Sequence, residues 1–272
     1  MDLYGIDMEI GNIRLSDYNL ILASFDSNGL TEGDLGMDFE TNEEYIGNHS
    51  VPTYLGANYT SKLKITATLV RNPCCAAYGN GEIPLQTCRA ILKNLTGRKF
   101  YQKMILYKQD YDEPIHFRVR CVSASYKKMG DTVVGIILEL ECDSQYAWTE
   151  ERTISISFKA GEENIVINHS DSLDEYLLPK VQIFSTEPIE ELRIINVTDN
   201  GRETILKNIS KMEYIQMDSA RSMLSTSIKG KNILNDFNYI FIRLLNGENR
   251  YKTNHNVDIS FTFSEPRKVG LR

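Results

Sequence analysis

IHFRVRCVSASYKKM (Ile115–Met129), Gly130-Asp131, TVVGIILELEC (Thr132–Cys142) and DSQYAW (Asp143–Trp148) form the stretch whose reading decides the fold. Ile115, Phe117, Val119 and Cys121 alternate with His116, Arg118 and Arg120, the two-residue period of a strand with one buried face. Beyond Met129-Gly130-Asp131, Val134, Ile136, Leu138, Leu140 and Cys142 alternate with Gly135, Ile137, Glu139 and Glu141. Two such runs either side of a glycine turn predict a hairpin, and its apolar rows are the main organiser of the core. Its polar rows make Arg118 and Arg120 possible neighbours of Glu139 and Glu141. Register decides whether the charges meet, and exposed pairs contribute about 0 to 1 kcal/mol each. Trp148, the only tryptophan, closes the stretch, and new strands start at Thr153.

Working back towards the N-terminus, Leu63, Ile65, Ala67 and Leu69 alternate cleanly with Lys62, Lys64, Thr66 and Thr68 and predict a strand. Between these runs, Pro84 suits the start of a helix, Leu85, Cys88, Leu92 and Leu95 recur at helical spacing, and Gly97 ends the pattern. The helix stripe is expected against the sheet. Residues 3–25 suggest two strands joined around Gly11-Asn12. Residues 26–60 are polar and punctuated by Gly29, Gly33, Gly36, Gly47 and Pro52, so they bury little by themselves and are either mobile or held by a partner. Of the apolar side chains there, Tyr45, Tyr54, Leu55 and Tyr59 are the ones expected to make contact, with a neighbour or with their own domain.

Beyond Trp148 the rhythm is all strand. Short apolar runs recur at 154–158, 165–167, 181–184, 192–197, 204–206, 214–217, 239–245 and 257–263, separated by turns such as Asp199-Asn200-Gly201. That spacing predicts a β-sandwich. The fold class is therefore mainly β: an N-terminal antiparallel β domain with one helix over 1–148, a sandwich over 149–265, and a tail over 266–272.

The chain has 272 residues, 42% hydrophobic and 25% charged, enough for two cores. No apolar run reaches the roughly 20 residues of a membrane span, and the first residues lack the pattern of a secretory signal, so synthesis in a cytoplasm without membrane insertion is expected. Five cysteines, Cys74, Cys75, Cys88, Cys121 and Cys142, lie in the first half, where small buried reduced residues are the plain reading. The net charge of −7 divides unevenly: residues 1–60 hold eleven acids against Arg14 alone, a net −10, which leaves the remainder at +3. This acidic region is either a solvated face or one half of a head-to-tail contact with a basic surface of a second copy. No basic stripe for static nucleic-acid binding is present.

No constellation for catalysis emerges. His49, His116, His169 and His255 are scattered, Cys74-Cys75 is not a paired ligand motif, and no nucleophile elbow or phosphate loop occurs. Glu139 and Glu141 share a strand face without an aromatic sugar subsite beside them. The expectation is a protein that is not an enzyme and needs no metal or cofactor.

Leu95-Thr96-Gly97-Arg98, the aromatic strand with Phe100, Tyr101 and Tyr107, the hairpin, Cys142-Asp143-Ser144 through Trp148, and the ending Glu265-Pro266-Arg267-Lys268-Val269-Gly270-Leu271 resemble, in that order, the distal tail proteins of long-tailed phages infecting Gram-positive bacteria. The resemblance spans nearly the whole chain and rests on pattern and order. It implies a galectin-like sandwich for the second domain, and a homohexameric ring of first domains around a channel at the virion tail tip, made in the host bacterial cytoplasm. The implied partners are the major tail tube protein, a tail-associated baseplate or tail fibre protein, the tape-measure protein, and DNA only in transit. It also implies that segment 26–60 joins neighbouring subunits. The candidate subunit-interface residues are Tyr45, Tyr54, Leu55, Tyr59, Arg118, Arg120, Glu139 and Glu141.

A second domain of this length leaves no room for the long receptor-holding insertion of some members, and the tail after Phe263 is expected to return to the ring domain. Two other readings stay open. One is a carbohydrate-binding module, which Trp148 does not favour because it precedes the sandwich instead of standing at a galectin-type stacking position. The other is a tail-tube or adaptor ring protein.

Overall fold

The computed structural model describes residues 2–3, 7–23, 39–47, 50–59, 62–74, 81–107, 114–172 and 175–268. Expectations for residues 24–38, for Cys75 and His49, and for the end of the tail at 269–272 fall outside the described residues, as does the side chain of Tyr59. Two compact units form, Met1–Trp148 together with Lys268–Arg272, and Thr149–Arg267.

The first part of the chain runs β1 (Asp2–Leu3), β2 (Asp7–Ile10), β3 (Ile13–Arg14), β4 (Leu20–Leu22), β5 (Phe39–Glu44), β6 (Thr53–Tyr59), β7 (Lys64–Arg71), α1 (Leu85–Leu95), β8 (Gln102–Tyr107), β9 (Ile115–Met129), β10 (Thr132–Cys142) and β11 (Tyr146–Thr149). The main sheet has the order β1-β7-β10-β9-β8-β2-β3, with β4 also on β7 and β11 also on β9. The predicted hairpin β9–β10 lies at its centre and is longer than the pattern suggests. Met129 faces Thr132 across a two-residue loop whose first residue, Gly130, has φ 62°, a conformation only glycine adopts freely.

Two register shifts correct the hairpin pattern. Val133 faces Lys128 and Gly135 faces Lys127, so Val134 is an extra, bulged residue. Because side chains alternate with period two, one extra residue exchanges the faces. Val133 takes the buried position, and Val134, expected in the core, is half-buried. A second shift makes Val122 extra, since Glu139 faces Ser123 and Leu140 faces Cys121. Phe117 and Val119 are buried as expected, while everything from Val122 to Met129 is exposed.

The helix also settles differently. Cys88, Ile91 and Leu95 are its buried residues, whereas Leu85, expected on that stripe, is 68% exposed. Ile83, just ahead of the helix, donates its backbone N–H to the Val133 carbonyl at 2.8 Å and is buried in the core. Beyond that anchor, the helix turns Cys88, Ile91 and Leu95 inward. Its apolar side then shares one cluster with Leu63 and the sheet residues Ile65, Leu69, Met104, Phe117 and Leu138.

The second unit is a β-sandwich of β12 (Arg152–Phe158), β13 (Glu163–Asn168), β14 (Lys180–Ser185), β15 (Ile189–Asn196), β16 (Arg202–Ile209), β17 (Glu213–Asp218), β18 (Met223–Thr226), β19 (Gly247–Thr253) and β20 (Val257–Phe263), followed by the short β21 (Pro266–Lys268). One sheet has the order β12-β20-β14-β17-β18 and the other β13-β19-β15-β16. Inward rows from both, including Ile183, Ile215 and Phe261 from the first and Val166, Ile194 and Leu206 from the second, share one core.

The run Tyr239–Leu245, expected as a strand, is extended chain held by an isolated bridge between Leu177 and Leu244. Its Ile242 and Leu244 fill the core, but Tyr239 has φ 60° and its side chain is exposed. The strand lies just beyond, in β19. Its inward residues are Asn249, Tyr251 and Thr253, a polar row that hydrophobic alternation does not register as core. These residues are satisfied internally: Asn196 donates to the Tyr251 hydroxyl at 3.1 Å, and that hydroxyl donates to the Arg243 carbonyl at 2.6 Å. Burial accordingly pushes the Tyr251 phenol up.

Candidate functional site

β5 and β6 form a two-stranded sheet of their own. Phe39 faces Tyr59 at one end and Glu44 faces Thr53 at the other. Among the described residues no third strand pairs with this hairpin, and β-branched or aromatic content alone does not hold a lone hairpin in water. Leu55 is the extra residue of a bulge, because Asn42 faces Gly56 and Glu43 faces Tyr54. A bulge twists the strand and re-aims its side chains.

Of the predicted contact residues here, Tyr54 is 62% exposed, Leu55 61% and Tyr45 67%. Among the described residues, none of the three is buried. Ile46 and Val51, which are not among the predicted contact residues, are also exposed and widen the apolar surface at the hairpin's end. Glu40, Glu43 and Glu44 lie exposed on the same hairpin and make no ion pair among the described residues. The acids of β2 are used differently. Asp7 meets Arg14 at 2.7 Å, and Glu9 accepts a hydrogen bond from the Tyr107 hydroxyl at 2.7 Å.

The second group lies on the solvent face of the main sheet. Arg120 and Glu141 are directly opposite, with Nη2 2.8 Å from Oε1. Lys62 approaches the same carboxylate at 3.6 Å and donates to the Tyr101 hydroxyl at 2.7 Å. Burial raises the Glu141 carboxyl, but the hydrogen bond from Arg120 and the charge of Lys62 outweigh it and hold the group below its ordinary range. Arg118 turns to Asp143, 3.5 Å away, and lies over the Trp148 ring at 4.5 Å. Glu139, exposed opposite Ser123, makes no ion pair among the described residues.

The structure thus joins Arg120 with Glu141, sends Arg118 to a different acid, and leaves Glu139 apart. Lys62 and Tyr101 complete the cluster. Their meeting is not local, since Tyr101 and Glu141 are brought together across 40 positions.

Cys88 and Cys142 are buried, Cys121 is half-buried and Cys74 is exposed, which departs from the uniform burial expected. Among the described residues no group of three His, Cys, Asp or Glu side chains gathers to hold a metal, and no helix is long and apolar enough to cross a membrane.

The sequence pattern of the family described as phage tail protein N-terminal domain matches residues 4–144, and that of the phage tail C-terminal domain matches residues 146–263. No curated protein matches the chain in sequence. Among solved structures, the fold is similar to SPP1 Dit (gp 19.1), described as a paradigm of the hub adsorption apparatus in phages infecting Gram-positive bacteria. The TM-score is 0.67 at 13% identity, over 96% of this chain and 99% of that one. A chain of the phage P2 baseplate in its activated conformation with Ca aligns with TM-score 0.47 at 9% identity, over 95% of this chain and 98% of that one. With family patterns spanning both units and the fold of a Dit protein, the chain belongs to the phage tail protein family.

Proposed function

We propose that this chain is the subunit of a hub at the distal end of a phage tail, with six copies closing a ring around a channel through their first units. The observation that carries the reading is the separate hairpin β5–β6. It has no third strand among the described residues, and its Tyr45, Tyr54 and Leu55 are exposed. A lone hairpin with apolar side chains in water is marginal, and a neighbouring copy would supply the cover it lacks. Its unpaired acids add the charge expected of one half of a head-to-tail contact. The fold shared with SPP1 Dit, whose description names a hub, supports the same role.

In this reading the galectin-like second units flank the ring. The tail tube protein and a tail-associated baseplate or fibre protein dock on opposite faces, and the tape-measure protein and then DNA pass through the middle. Arg118, Arg120, Glu139 and Glu141 belong to the proposed contact surface. Of these, Glu139 has no ion pair among the described residues to give up on assembly.

Light scattering of the purified full chain over a range of concentrations tests the proposal. A species of six times the 31.1 kDa monomer, or a stacked pair of such rings, is expected, with a channel visible by electron microscopy. A monomer at every concentration that also fails to enter rings when mixed with purified tails of its own phage would overturn it.

A further inference from the structure

The two outer faces of the sandwich differ in chemistry. On the four-stranded sheet, Arg193 reaches Glu203 at 3.5 Å and Lys207 reaches Glu191 at 3.4 Å, the interleaved charges of an ordinary solvated face. The five-stranded sheet keeps its charges, among them Lys180, Asp218 and Asp258, in the rows on either side of an uncharged one. Ser155, Ser260, Gln182, Gln216 and Ser225 stand in register across all five strands, a row without a single charge. In the next row, Phe184 faces Tyr214, and their rings stack at 4.3 Å.

We propose that this face binds a neutral saccharide chain. The side chains of Gln182 and Gln216 make no hydrogen bond among the described residues, so each amide offers two donors and an acceptor to a ligand. They border a cleft of about 400 Å³ whose walls include Lys180, Asp218, Ser225 and Thr262. Neighbouring strands are roughly 4.8 Å apart and successive outward rows roughly 6.7 Å apart, the scale of one sugar ring. A ring resting on half-exposed Tyr214 would place its hydroxyls over the glutamine row, while the next unit enters the cleft.

Other ligand classes fit less well. Lys180 is held by Glu151 at 3.0 Å and Arg221 by Asp218 at 3.8 Å, so no uncompensated positive charge attracts a polyanion. Met223 is the one exposed aliphatic side chain in these rows, too little for the apolar centre of a protein interface. The proposal stands on this unit alone and does not depend on the ring.

The full-length protein is titrated by calorimetry with maltohexaose, cellohexaose, chitotetraose and a linear galactan, and with a glycerol-phosphate polymer as the anionic probe. At least one neutral probe should bind saturably and with little dependence on salt. The double variant Gln182→Ala, Gln216→Ala should weaken it by about tenfold or more, and Tyr214→Ala by a similar factor. Arg193→Ala, on the opposite sheet, should leave binding unchanged, and all variants should keep the parent's unfolding temperature because the side chains are at the surface. Saturation by none of the neutral probes, binding of the anionic probe alone, or neutral binding that survives the double glutamine variant would each overturn the proposal.

Discussion

Replacing Tyr54 and Leu55 together by serine separates assembly from folding. In the single chain these side chains are 62% and 61% exposed, so their removal takes nothing from the core. Surface changes of this kind alter monomer stability by about 0.5 kcal/mol or less. In a ring they would be covered. Complete burial of a large apolar side chain contributes about 1.5–3 kcal/mol, and the fraction still exposed here scales that to about 1–2 kcal/mol each. The pair therefore supports each subunit contact by about 2–4 kcal/mol, a factor of roughly 30 to 1,000 in its dissociation constant. Sedimentation velocity of parent and variant over the same concentration series reads this directly: the ring-to-monomer midpoint should move up by at least tenfold while the thermal midpoint of the monomer stays in place. Identical assembly curves would refute the role given to the hairpin. A variant monomer that melts early would show instead that these side chains support their own domain.

Three further outcomes test the internal reasoning. Glu213 is fully buried and holds Lys231 at 2.9 Å, and Ser210 donates its backbone N–H to the same carboxylate at 2.6 Å. Burial raises this carboxyl, but hydrogen bonds from Thr226, Ser210 and Lys231 outweigh burial and hold it below its ordinary value of 4.5. Glu213→Gln should therefore cost about 3 kcal/mol near neutral pH. Because the folded value is lowered, this contribution is fully present above pH 4.5 and declines below it until pH has fallen through the folded value, so parent and variant should converge in acid; a calorimetric gap unchanged at about pH 3 would contradict the assignment. Leu138→Ala, in the most enclosed part of the central hairpin, should cost about 2–5 kcal/mol in urea unfolding, and a loss under about 1 kcal/mol would mean that β10 is not the centre of the core. In native alkylation followed by mass spectrometry, exposed Cys74 should react well before Cys142, which is buried and whose thiol burial pushes up to about 12.

The candidate residues were legible to different depths. Tyr54 and Leu55 stand out because a glycine-punctuated polar segment offers few apolar side chains, and an apolar residue with no periodic partners has no core of its own to enter. The charged cluster was only half legible. Alternation put Arg120 and Glu141 on one face of the hairpin, but Lys62 and Tyr101 arrive from just before β7 and just before β8, and no local pattern says that they meet Glu141. The glutamine row of the sandwich was invisible as a row, because Gln182 and Gln216 are single polar residues within two apolar runs and become neighbours only when β14 pairs with β17.

By itself, the sequence determined that this is a mainly β protein with one substantial helix and a central glycine-turned hairpin. Those features follow from hydrophobic period and turn chemistry, which act within a few residues. Tertiary structure alone decided which valine of Val133-Val134 enters the core, that the strand near the end of the sandwich begins at Gly247 with a polar inward row, and that Leu85 turns to solvent. Each of these depends on what lies opposite: a bulge is defined only against a partner strand, a buried asparagine is acceptable only where another chain segment accepts its hydrogen bonds, and a helix face is chosen by the sheet on which it settles.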